Sequence, residues 1–347
     1  MVCSFTALDA YFRIPPAPLR FEYIDGDLVA LARLRDDLSY PGLPYADAIT
    51  GGQPRLRFRC SDGDLRSAFT QLELRYDPER RAFDARRGVH ATLHTAAAEP
   101  RSAQPELVLF EAAAMASRYG WSIDPAAAPR LHTRPGPEYQ RDLLELVLTG
   151  AHPERGLDLL LGSGFMDDCW PELAGLARVD HVKDYHPEGD AWRHTMETFS
   201  YRKSVDLTLS LALLLHDTGK ADAVAVDGRR FDRHSELGAR TARTFLSRLG
   251  YSDDVARDVA FLVRYHMLPA ALPRIPPSSL VDELSSPLFP TLLELYRCDE
   301  LSTFRGPDGY YEACAAYRAY LRNARNPYRG PDGRKRPSKE AMHAHGI

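Results

Sequence analysis

Apolar residues recur at two different periods along the chain, and the change of period falls near residue 105. Before it, Arg55 to Cys60 (Arg-Leu-Arg-Phe-Arg-Cys) alternates polar and apolar residues, the pattern of a half-buried strand. Gln71 to Tyr76 predicts a second strand, and Asp77-Pro78 a turn after it. After it, the helical period takes over. Leu107 to Gly120 predicts a helix that Gly120 is placed to stop. Ser122 to Pro125 restarts the chain, and Tyr139 to Leu148 and Gly156 to Leu161 continue the helical pattern. Beyond Asp180, helices are predicted over about 190–201, 204–216, 234–248, 253–266, 278–298 and 307–322, joined by short loops rich in Gly, Pro and Asp. Within the second, Leu207 to Leu215 is apolar on every side, so that helix should be buried.

This pattern predicts a mainly α protein in four parts. A small α+β head covers 1–104, a helical neck 105–175, an all-α domain 176–322 and a tail 323–347. The tail carries Arg325, Arg329, Arg334, Lys335, Arg336 and Lys339 among Pro and Gly, and reads as mobile and basic. Composition narrows the class. The chain has 347 residues, enough for two domains, with 44% hydrophobic and 27% charged residues, as folded proteins have. Forty-four Lys and Arg against 48 Asp and Glu leave −4, too balanced for a surface that binds polyanions everywhere. Apolar runs such as Leu211 to Leu215 are far too short to span a membrane, and the first residues lack the layout of a signal peptide. Five cysteines (Cys3, Cys60, Cys169, Cys298, Cys314) show no C-x-x-C spacing, which argues against thiolate zinc and against a disulfide framework. A soluble, cytoplasmic protein with no membrane partner is expected.

The chemistry concentrates in His194, the adjacent pair His216-Asp217, His234, His266 and Asp299, which recur about one helical hairpin apart. The pair closes the all-apolar helix and so places a carboxylate deep in the domain. That costs several kcal/mol unless the charge is paired or bound to a cation. In Thr218-Gly219-Lys220, which follows, Gly219 reads as permitting the turn and Lys220 as a cation at the mouth. Imidazoles with carboxylates suit divalent Mn, Ni, Co, Fe or Zn, as one ion or two. No such pattern surrounds His90, His94, His132, His152, His343 or His345.

These residues resemble the HD superfamily of metal-dependent phosphohydrolases. The resemblance is closer to the C-terminal HD domain of bacterial tRNA nucleotidyltransferases, the CCA-adding enzymes of the poly(A) polymerase family. The matching segments are Trp170-Pro-Glu-Leu173, His186-Pro-Glu-Gly-Asp190, Trp192-Arg-His-Thr195, His216-Asp-Thr-Gly-Lys220, Arg233-His-Ser-Glu-Leu-Gly238, Arg264-Tyr-His266 and Cys298-Asp299. Upstream, Leu107 to Asp124 is similar to that family's neck helix and Phe69 to Pro78 to the motif closing its head. Where the family has Arg-Arg-Asp, this chain has Arg66-Ser67-Ala68, and the family's Gly-Gly-x-Val-Arg-Asp loop is absent around Gly51-Gly52. Asp25-Gly26-Asp27 mimics its paired carboxylates. The resemblance thus implies a truncated head without nucleotidyl transfer.

It also implies roles. His194, His216, Asp217 and Asp299 would hold a first metal, and Asp217 would bridge to a second completed by His234 and His266. The catalytic set would be Asp217 with Lys220 and Arg193 as phosphate-binding cations, and Glu197, one turn after Arg193, a proton relay or an exposed helix residue. The expected substrate is a nucleotide or small phosphoester, with RNA a possible partner. Two alternatives share the sequence features. HD-fold mixed-valent diiron oxygenases use the same six ligands, and a degenerate relative could bind RNA through the tail and the basic strand of Arg55, Arg57 and Arg59.

Overall fold

The computed structural model describes residues 1–52, 55–61, 67–84, 89–95, 99–101, 104–124, 128–179, 189–223, 225–226, 230–231, 233–303, 306–330 and 333–336. Two compact units account for the chain. The first is 1–174 with 248–250, the second 175–247 with 251–347.

The first unit is built on a seven-stranded sheet of β1 (Val2–Cys3), β2 (Arg20–Asp25), β3 (Leu38–Ser39), β4 (Ala48–Thr50), β5 (Leu56–Ser61), β6 (Arg75–Asp77) and β7 (Ala82–Asp84), in the order β3-β4-β5-β2-β1-β6-β7. At its centre β2 and β5 run parallel from Arg20↔Leu56 to Asp25↔Ser61, and the remaining pairs are antiparallel. Its helices are α1 (Ser4–Phe12), α2 (Leu28–Leu34), α3 (Val89–Thr92), α4 (Pro105–Tyr119), α5 (Pro137–Leu148), α6 (Pro153–Gly162), α7 (Phe165–Cys169) and α8 (Pro171–Ala174). As predicted, Gly120 ends α4 in the left-handed conformation (φ +66°) that a C-cap favours. An aromatic chain ties the layers together. Phe5 packs on Phe21 and Phe110, Tyr45 stacks on Phe110 at 3.8 Å between ring centroids, and Phe110 meets Tyr139 of α5.

Three sequence expectations change here. Gln71 to Tyr76 is not one strand: Thr70–Glu73 coils into a 3₁₀ turn before β6 begins. Asp77 does make the turn, its Oδ1 accepting from the Glu79 and Arg80 amides. The basic strand is not a surface. Arg55, Arg57 and Arg59 are all buried, because α5 and α4 lay a row of carboxylates against them. Arg57 donates from Nε and Nη2 to Asp142 at 2.6 and 2.5 Å and from Nη2 to Glu138 at 2.9 Å. Arg55 reaches Glu138 and Glu145, and Arg59 lies 3.8 Å from Glu111 and donates to Ser67. Glu111 in turn accepts from the Ala68 and Phe69 amides. The pair Asp25 and Asp27 is exposed, and Asp27 spends its side chain capping α2 at the Ala30 amide. Arg66 lies outside the described residues.

The second unit is helical, with α9 (Ala191–Ser200), α10 (Leu207–Leu215), α11 (His234–Arg248), α12 (Asp253–Tyr265), α13 (Leu268–Ala271), α14 (Val281–Ser285), α15 (Phe289–Leu301) and α16 (Asp308–Ala324), and a two-residue ribbon of β8 (Ala225–Val226) and β9 (Arg230–Phe231). The single helix expected over 278–298 is broken, since Ser286 is extended and Pro287 follows it. The expected mobile tail starts inside α16. Its described part folds back on itself, with Gly330 donating to the Arg334 carbonyl and Arg336 to that of Tyr328. Lys339 lies outside the described residues. No helix among them is long and apolar enough to cross a membrane.

Candidate metal centre

Each residue of the centre is delivered by a helix end or a buried helix face. Asp190 caps α9, its Oδ1 accepting from the Arg193 amide at 2.8 Å, and Asp206 caps α10 in the same way at Leu209. His194 lies on the buried face of α9 with Trp192, Thr195 and Thr198. Leu209 to Leu215 are all buried, so α10 carries His216 and Asp217, each about 1% exposed, to the middle of the unit. Acidic Asp253 and Asp254 sit in the first turn of α12, which ends at buried His266.

Gly219 serves the centre differently from what its sequence suggests. Its φ is not positive, so the turn does not require glycine. Space requires it: a Cβ there would lie 2.0 Å from the His234 carbonyl oxygen and 2.4 Å from the Gly238 nitrogen. This contact seats the start of α11, and with it His234, against the His216-Asp217 turn.

The six residues converge. His194 Nε2 is 3.0 Å from Asp299 Oδ1 and 3.8 Å from Asp217 Oδ2. His216 Nε2 is 3.3 Å from Asp217 Oδ2 and 4.0 Å from Asp299 Oδ1. On the other side, Asp217 Oδ1 faces His234 Nε2 at 3.9 Å, and His234 Nε2 lies 3.2 Å from His266 Nε2. Two groups able to hold a cation result, His194–His216–Asp217 and Asp217–His234–His266, and Asp217 belongs to both with a different oxygen turned to each.

The histidines are oriented for this. His216 Nδ1 donates to the Leu213 carbonyl at 2.8 Å and His266 Nδ1 to that of Val263 at 2.7 Å. Each ring then presents the Nε2 lone pair inward, as metal-ligating imidazoles do. His216 Nε2 is buried and has no hydrogen-bond partner. Burial would raise the Asp217 carboxyl, but His216 and Lys220 hold it well below the ordinary range; burial would likewise raise Asp299, but the His194 beside it holds it low. Burial, helped by His216, lowers His266 to about 4, which keeps it neutral at physiological pH. Imidazole Nε2 atoms turned inward and ionised carboxylates are the donor types that a borderline divalent ion takes, so the residues fit a metal.

The two cations part company. Lys220 Nζ is 2.6 Å from Asp217 Oδ2, inside the cluster. Arg193 is exposed while its neighbour His194 is buried, since successive helix positions point about 100° apart. It stands outside the buried group, and Glu197 is exposed as well. His186 lies outside the described residues. Sequence reading missed Ser302, whose Oγ is 3.2 Å from His194 Nδ1. Its only signal was a small hydroxyl one turn after Asp299.

Residues 192–297 match the HD domain family, a span that takes in five of the six residues and stops just short of Asp299. A multifunctional CCA protein of Halorhodospira halophila is 37% identical over 118 residues, 33% of this chain and 28% of that one. One of Laribacter hongkongensis is 29% identical over 252 residues, 67% of this chain and 62% of that one. The chain therefore spans less than two thirds of either relative. A CCA-adding enzyme solved with ATP has a TM-score of 0.48 and 11% identity, with 100% of this chain and 85% of that one covered. Residues 192–297 thus match the HD domain family, in a chain similar to multifunctional CCA proteins.

Proposed function

We propose that the chain is a metal-dependent phosphohydrolase acting on a nucleotide- or RNA-derived phosphoester. The observation that supports it most is the sharing of Asp217 between two inward-facing groups of donors, beside a His216 Nε2 that is buried and unpartnered. His194, His216, Asp217 and Asp299 would hold a first divalent ion, and Asp217, His234 and His266 a second. Bound there, such ions would supply Lewis acidity toward a phosphoryl oxygen and lower the pKa of a water.

The rest falls to the protein. Leu213 and Val263 hold two imidazoles in the tautomer that offers Nε2, so the site is oriented before anything binds. Asp217 keeps one oxygen toward each half, the arrangement a bridging carboxylate needs. Lys220 neutralises Asp217 and is 13% exposed, so its ammonium can turn outward to a phosphate once another cation takes its place. Arg193, exposed on α9 beside His194, is the second candidate for phosphate, as a two-pronged donor. The choice of a nucleotide- or RNA-derived ester rests on kinship with multifunctional CCA proteins.

Metal analysis of the purified protein, followed by a screen of phosphomonoesters and 2′,3′-cyclic phosphodiesters with Mn, Ni, Co, Fe and Zn, tests the proposal. Metal uptake together with hydrolysis supports it. Tightly held iron with an O₂-dependent reaction and no hydrolysis would move the same six ligands to the oxygenase alternative.

A further inference from the structure

Each imidazole whose Nε2 is offered to the centre needs an acceptor at Nδ1. For His216 and His266 that acceptor is a backbone carbonyl one turn earlier on the same helix. His194 is held otherwise. Its Nδ1 lies 3.2 Å from Ser302 Oγ, and Ser302 is buried, 6% exposed, at the C-cap of α15. The Ser302 hydroxyl has one proton, and that proton is directed to the Asp299 carbonyl oxygen at 2.6 Å. A carbonyl can only accept, so toward His194 the hydroxyl oxygen must accept in turn. The chain of donation therefore runs from His194 Nδ1–H to Ser302 Oγ–H to the Asp299 backbone.

This fixes what the inner nitrogen does. With Nδ1 bearing the hydrogen, His194 Nε2 faces Asp299 Oδ1 at 3.0 Å. A lone pair and a carboxylate at that distance need a cation between them, a proton or a metal ion. Ser302 sits three residues beyond Asp299 on the same helix end, so one hydroxyl sets the register of both groups.

We infer that Ser302 is a positioning residue for the first metal, joining His194 and Asp299 into one rigid pair. The inference rests on the metal reading proposed above. It separates the two halves of the centre: the His234–His266 half gains nothing from Ser302, since its orienting carbonyl belongs to α12.

The test uses the full chain and Mn²⁺ alone. Calorimetric titration of wild-type, Ser302→Ala and Ser302→Thr should show the first binding step weakened about 10- to 100-fold in the alanine variant, the range typical of lost outer-shell partners, with the second step unmoved. Ser302→Thr, which keeps the hydroxyl, should restore the first step. ¹⁵N spectra of the metal-free proteins read the histidine tautomers directly, and the His194 Nδ1–H signal should shift in Ser302→Ala while those of His216 and His266 hold. Unchanged affinity in the alanine variant, or equal weakening of both steps, overturns the inference. If wild-type binds no metal, the metal reading itself falls, and the spectra still decide the role of Ser302: an unshifted His194 signal refutes it.

Discussion

Both units bury charge, and they do so with opposite outcomes. In the first, every buried guanidinium of the basic strand meets carboxylates from helices α4 and α5: Arg57 with Asp142 and Glu138, Arg55 with Glu138 and Glu145, Arg59 with Glu111. Tyr45 adds its hydroxyl to Asp142 at 2.9 Å. One nitrogen of Arg57, Nη1, lacks a partner, but the guanidinium's charge is met on its other edges. In the second unit the same kinds of group gather around common centres. Two carboxylates and the Nε2 atoms of four histidines come together, and Lys220 bonds Asp217. Guanidinium set against carboxylate makes a scaffold, whereas imidazoles and carboxylates gathered at one centre make a place that suits a divalent cation.

The largest effect should come from removing the residue both halves share. Asp217→Ala should lose both metal-binding steps and reduce hydrolysis to background, whereas His266→Ala should lose only the weaker step. Full metal stoichiometry retained in Asp217→Ala would falsify the shared-ligand geometry.

The matched side of the comparison breaks by the same logic in reverse. Arg57→Met leaves Asp142, fully buried, without its guanidinium, and should cost about 3–5 kcal/mol in denaturant unfolding. The double variant Arg57→Met/Asp142→Leu should recover most of that loss, because no charge is then left uncompensated. Neither change should alter metal binding. An Arg57→Met protein as stable as wild-type would mean that the network contributes nothing.

Acid and base should sort the units. Burial, against the pull of Arg59 and Arg55, pushes Glu111 and Glu145 up to about 7 from 4.5. The folded chain then keeps protons that the unfolded chain releases near pH 4.5, so the first unit loses stability as pH rises from about 4.5 to 7. His266 behaves oppositely in the metal-free protein. Lowered from 6.5 to about 4, it refuses a proton that the unfolded chain accepts, so the second unit loses stability as pH falls across that interval. Each shift is worth on the order of 1–3 kcal/mol. Hydrogen exchange read peptide by peptide at pH 5 and pH 7.5 checks the opposite signs, and a common trend in both units would sink the contrast.

The smallest expected effect is none at all. Incubated with tRNA lacking its 3′ end, labelled CTP or ATP and Mg²⁺, the protein should incorporate no label, because Gly51-Gly52 leads into Gln53-Pro54-Arg55 rather than a Val-Arg-Asp loop and Asp27 is occupied as a helix cap. Incorporation that disappears in Asp25→Ala or Asp27→Ala would overturn this.

The helical text after residue 105 was readable because its apolar period is local. Helices α4, α10, α11 and α12 stand within a few residues of their expected ends, and the polar residues interrupting buried text marked His194, His216, Asp217, His234, His266 and Asp299 as a set. Where reading failed, the missing fact lay elsewhere in the chain or in a single backbone step. The run 278–298 kept a helical composition across Ser286-Pro287, where the backbone does not continue. Arg193 and His194 look equivalent in the sequence and are separated by which face of α9 is buried.

By itself, then, the sequence determined most helices after residue 105 and the strand periodicity of β5, since each depends on spacing along one segment, and it singled out the six His and Asp residues that the fold brings together. Only the tertiary structure decided that Arg55, Arg57 and Arg59 are interior, that Gly219 is needed for room rather than for its torsion angle, and that Asp217 turns one oxygen to each half of the centre. The reason is common to all three. Asp142 lies 85 residues from Arg57, and whether a charged or small side chain is matched, crowded or shared depends on the partner that packing brings to it.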